Sequence, residues 1–150
     1  MTTCPHCGCE FTPKQRSSPQ HRRFFKLVSV AYEHWPERHV FQPSSSEHLR
    51  AWLLCQKECD HREINTVVLG REPTPYELST IQGGIDAAGA YAWAFPYSDG
   101  YLVVYPKSMS FDRMPHKKAC TVMAIIDELI CDVFQIRSTD ELLQEHERAA

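Results

Sequence analysis

Apolar residues recur with two periods along this chain. Phe24, Leu27, Val28, Ala31 and Trp35 follow helical spacing. They predict a first helix with Ser18 as a cap, Pro19 in its first turn and Trp35-Pro36 as its stop. A second helix is expected from the triple serine, where Ser44 and Glu47 match a capping box. It would bury Leu49, Trp52 and Leu53 and run to about Cys59. The β-branched run 65–69 reads as a strand. Thr74-Pro75-Tyr76-Glu77 combines cap, first-turn proline and reciprocal glutamate, so a third helix begins there, with Leu78, Ile81 and Ile85 inward. Gly83-Gly84 lies inside this helix at a cost of about 1 kcal/mol per glycine, and Gly89 is placed to end it.

Runs 91–95 and 101–105 read as strands around the turn chemistry of Pro96-Tyr97-Ser98-Asp99-Gly100. A long fourth helix is expected from about Pro115 to Phe134, with the apolar row Val122, Met123, Ile126, Leu129, Ile130 and Val133. Ser138-Thr139-Asp140-Glu141 then opens a short acidic helix. The order ααβαββαα does not alternate strand and helix, which disfavours a doubly wound parallel sheet. The expected fold class is α+β: a small, mostly antiparallel sheet packed by four to five helices, with a knuckle-like amino-terminal arm.

The 150 residues fit one domain: knuckle and arm over 1–17, core over 18–136, acidic helix over 137–150. Hydrophobic residues make up 43% and charged residues 23%, an ordinary globular balance. With no membrane-length apolar run and no secretory signal pattern, a cytoplasmic protein is expected.

The net charge of −3 is unevenly spread. Residues 1–26 hold five basic side chains against Glu10, a balance of +4, whereas residues 127–148 hold seven acidic ones against two arginines, −5. Arg16, Gln20, His21, Arg22, Arg23 and Lys26, with Phe24 and Phe25, mix cations, an amide and aromatics. Such a segment suits a single strand, because cations neutralise phosphates and exposed rings stack on unpaired bases. The alternative is a solvated helix face. Phe24 belongs to the core on either reading.

Seven cysteines in a reducing compartment argue for thiols or metal rather than disulfides. Cys120 and Cys131 fit a helical core. Cys4-Pro5-His6-Cys7-Gly8 has zinc-knuckle spacing, which supplies two ligands of a structural zinc. Cys55 and Cys59, four apart on the expected second helix, are the first choice for the other two; Cys9, His6 and His61 are alternatives. P-loop, serine-hydrolase, zincin and dinucleotide signatures are missing, so no enzyme is expected. Asp60-His61-Arg62-Glu63 offers only a weak metal-nuclease reading. His34, His39 and His48 read as surface or helix-end residues.

Arg16-Ser17-x-x-Gln20-His21-Arg22-Arg23-Phe24-Phe25 resembles the opening of the NinB (Orf) recombination family of lambdoid phages. The chain is still more similar to a neighbouring prophage family of unknown function, with a counterpart to the run from Lys107 to Met114. The likeness spans roughly residues 16–136, and the cysteine knuckle has no counterpart in it. The resemblance implies a homodimer that binds single-stranded DNA in the presence of single-strand-binding protein, with Arg16, Gln20, Arg22 and Arg23 at matching positions. A competing expectation is a protein-binding module, such as a phage-encoded inhibitor of a host defence complex, contacting a host protein.

Overall fold

The computed structural model describes residues 2–3, 8, 10–11, 18–108 and 114–149. Ten elements follow in chain order: β1 (Thr2–Thr3), β2 (Glu10–Phe11), α1 (Ser18–Glu33), α2 (Ser46–Leu54), β3 (Arg62–Val68), α3 (Pro75–Ala87), β4 (Trp93–Tyr97), β5 (Gly100–Pro106), α4 (His116–Phe134) and α5 (Thr139–Ala149). The fold class is α+β, with five helices and a three-stranded antiparallel sheet, plus a short antiparallel β1–β2 pairing. No described helix is long and apolar enough to cross a membrane. The chain divides into two compact units, Met1–Leu53 with Ser108–Ala150, and Leu54–Lys107.

The first unit holds α1, α4, α5 and nearly all of α2, with the short β1–β2 pairing. Leu27, Val28 and Ala31 of α1, Leu49 and Leu53 of α2, and Val122, Ile126 and Ile130 of α4 are buried. These positions carry the 3.6-residue apolar stripe read from the sequence. Leu129 and Val133 of that row, and Cys131, are only half-buried. An aromatic cluster closes the end of α1: the Trp35 ring lies 5.9 Å from Trp52 and 6.0 Å from Phe134. Phe41 stacks on Trp52 at 4.7 Å, and the Trp35 indole N–H donates to the Phe41 carbonyl at 2.8 Å. The donor is thereby satisfied where the ring is buried.

Two expectations for α2 change. Its cap is Ser45, whose Oγ accepts from the His48 backbone N–H at 3.0 Å, while Ser44 donates its N–H to His48 Nδ1. Three consecutive serines offer three registers, and His48 in place of Glu47 selects the later one. The helix stops at Leu54, not near Cys59. His61 N–H returns to Leu54 O at 3.1 Å and Asp60 takes a left-handed φ of 49°, so residues 55–59 form a turn.

The second unit is the sheet, ordered β3-β5-β4, with α3 on β4. The capping box at Thr74 forms in full: Glu77 N–H donates to Thr74 Oγ1 at 3.2 Å, and Thr74 N–H to Glu77 Oε1 at 3.1 Å. Gly89 at φ 72° ends the helix region, with Ala90 N–H reaching Ile85 O at 3.2 Å. Leu78, Ile81 and Ile85 are half-buried rather than fully inward, and α3 buries no residue completely. Instead it guards an edge. The Gln82 side chain donates to Ala92 O and accepts from Ala94 N–H, both at 2.9 Å, replacing a missing strand neighbour of β4.

The β4–β5 turn is tighter than the sequence suggested. Pro96 and Tyr97 belong to β4, paired with Tyr101 and Gly100, which leaves Ser98-Asp99 as a two-residue turn with Ser98 at φ 52°. Proline is tolerated there because an edge strand needs fewer ladder donors. Gly100 allows a close approach: a Cβ at this position would fall on the Val67 carbonyl oxygen of β3.

Candidate nucleic-acid interface

The 16 residues of α1 sort the expected binding residues onto different faces. His21 and Phe25, one turn apart, bring their rings to 4.6 Å. The Arg50 guanidinium of α2 lies 5.2 Å from the Phe25 centroid, within cation–π range. Phe25 nevertheless stays 37% exposed. Arg22 is exposed on the same side of the helix, three residues before Phe25, and forms no ion pair among the described residues. This patch brings together two rings and two guanidinium groups.

Arg23 and Lys26 are otherwise engaged. Arg23 donates to Thr139 Oγ1 at 2.8 Å, Asp140 Oδ1 at 3.1 Å and Asp127 Oδ2 at 3.5 Å. Lys26 pairs with Glu147 at 3.2 Å. Arg23 and Lys26 of α1 are therefore paired with acidic side chains of α4 and α5. Burial holds the Asp127 carboxyl above its ordinary range, opposed by the Arg23 charge and hydrogen bond. Arg16 lies outside the described residues.

Gln20 faces an open groove of about 680 Å³ lined also by Arg23, Cys120, Met123 and Asp127. Its Nε2 donates to the Cys120 sulfur at 3.1 Å, and His116 Nε2 lies 3.3 Å from the same sulfur. Gln20 thus serves a buried thiol–imidazole pair on α4, which the sequence reading passed over by placing Cys120 in an apolar row. The i, i+4 spacing of His116 and Cys120 was the available signal. Arg50 was also missed, since nothing local to α2 points to Phe25.

Cys4, Cys7 and Cys9 lie outside the described residues. Cys55 and Cys59 are buried in the turn after α2, so they do not share a helical face as expected. Burial pushes the Cys55 thiol up to about 12, with Arg62 opposing and Cys59 adding to the rise. Asp60 of the nuclease-like segment is tied to Arg62 Nε at 3.0 Å, and His61 is buried.

Glu33, His34 and His146 form a further cluster, with ligand atoms within 4.8 Å of one another. His34 Nε2 lies 3.1 Å from His146 Nδ1, which is 3.6 Å from Glu33 Oε2.

No family model matches the chain, and neither a curated protein nor a solved structure matches it.

Proposed function

We propose that this chain binds single-stranded DNA through the His21, Arg22, Phe25 and Arg50 patch, in the manner of a phage-type recombination accessory protein. The observation that carries the reading is the 37% exposed Phe25 ring beside His21 and the Arg50 guanidinium, with Arg22 on the same side of α1. Unpaired bases stack on such faces, while guanidinium groups neutralise phosphates. The recombination role, a homodimer and a partnership with single-strand-binding protein follow from the NinB resemblance. A structural zinc with Cys4 and Cys7 among its ligands belongs to the same proposal. The activity proposed is binding, not catalysis.

Anisotropy of a labelled single-stranded oligonucleotide, titrated across a salt series, tests this. Arg22→Ala with Arg50→Ala is expected to flatten the log-affinity against log-salt slope by about 1.4, at about 0.7 per phosphate. Lys26→Ala is expected to do less, because Glu147 already holds that charge. An unchanged slope in the folded double variant refutes the reading.

A second reading has its own observation. Val68, Tyr76, Phe95 and Tyr97 are 69%, 81%, 50% and 56% exposed in the sheet unit. Exposed apolar surface of this kind suits a protein partner. A protein-binding module would bind a host protein and show no oligonucleotide affinity.

A further inference from the structure

We propose that Glu33, His34 and His146 form a binding site for a divalent transition-metal ion that staples the end of α1 to α5. The inference is independent of the nucleic-acid reading.

The geometry comes first. Zinc holds imidazole nitrogen and carboxylate oxygen at about 2.0–2.1 Å, so two ligand atoms on a tetrahedral shell are about 3.4 Å apart. The two separations centred on His146 Nδ1, 3.1 Å to His34 Nε2 and 3.6 Å to Glu33 Oε2, bracket that edge. The three atoms stay within 4.8 Å of one another, a spread that small side-chain rotations close.

The donor chemistry points the same way. Three lone-pair-bearing atoms converge on one region. His34 and His146 meet through ring nitrogens 3.1 Å apart, and the Glu33 carboxylate faces His146 Nδ1 at 3.6 Å. A cation satisfies all three atoms together. Two imidazoles and one carboxylate favour zinc, nickel or copper(II) over magnesium or calcium, which prefer all-oxygen shells. Three protein ligands leave at least one position for water.

The placement gives the site a mechanical role. Glu33 ends α1, His34 follows it, and His146 lies 112 residues further on, in α5. A bound ion would close that long loop and hold α5 against α1, reinforcing the Arg23 and Lys26 contacts.

The test uses the untagged, reduced full chain, stripped of metal and titrated with zinc by calorimetry and with cobalt(II) by absorbance. Wild type is expected to show a site with cobalt ligand-field bands and no sulfur charge-transfer band, distinct from any thiolate site. His34→Ala, His146→Ala and the near-isosteric Glu33→Gln should each weaken that site by at least about tenfold, the loss that even an outer-shell partner causes. Zinc at about one hundred times its Kd should raise the wild-type thermal midpoint by about 5–10 °C, and that of His146→Ala by less. Excess magnesium should not displace it. Failure of wild type to bind, cobalt spectra accounted for wholly by thiolates, or unchanged affinity in all three folded variants would each overturn the proposal.

Discussion

Arg23→Ala removes three contacts at once, to Thr139, Asp140 and Asp127, and so loosens α5 from α1 and α4. The Arg23 side chain is 40% exposed, Asp127 35% and Asp140 66%, so solvent screens both ion pairs. Screened pairs of this kind are worth about 0.2–1 kcal/mol each, and the charge-assisted bond to Thr139 adds about 1 kcal/mol. The expected loss is about 1.4–3 kcal/mol, a fall in thermal midpoint of about 3–12 °C for a chain of this size. Molar salt should erase part of the difference, because only the ion-pair share is screened. The pH dependence has a defined sign. Burial already raises the Asp127 carboxyl, and removing Arg23 raises it further. An acid whose folded pKa lies above its unfolded value costs stability when ionised, and that cost disappears as pH falls through the folded value. The deficit of Arg23→Ala should therefore narrow on acidification. Thermal melts from neutral to mildly acidic pH, with a double-mutant cycle against Asp140→Asn, supply the measurement. A midpoint within about 1 °C of wild type at low salt, with no coupling in the cycle, would refute Arg23 as an internal tie and return it to the list of available phosphate ligands.

Two further outcomes concern the sheet unit. Glu77 is held down to about 2, first by its paired hydrogen bonds from Arg71 and then by the Thr74 backbone. A depressed carboxyl contributes stability above its unfolded value and loses it as pH falls through the folded one, so α3 should loosen as pH drops from the ordinary carboxylate range toward about 2. Glu77→Gln should remove that transition as read by hydrogen exchange in α3. Gly100→Ala drives a methyl into the Val67 carbonyl and should cost about 3 kcal/mol or more, because backbone cannot rotate away as a side chain does. A denaturant melt showing a loss below about 1 kcal/mol would contradict the β3–β5 register.

Local chemistry in the sequence determined most of the elements. The Thr74–Glu77 box, the Gly89 stop and the apolar stripes of α1 and α4 need only residues three or four apart, so their outcome is encoded where they stand. The α+β class followed from their order. Ambiguity arose where neighbours competed: three serines offered three caps for α2, and Pro96 read as turn although it pairs within edge strand β4. The site was legible only in part. Its cations and aromatics could be named from α1, but which cations stay available depends on how α5 lies against that helix. Arg23 meets Asp140 across 117 residues, Lys26 meets Glu147 across 121, and His34 meets His146 across 112. Arg50 reaches Phe25 only because α2 brings it over the ring. Helix periodicity fixes which side chains share a face. The rotation and approach of one helix on another depend on packing between distant segments, and only the tertiary structure decided those pairings.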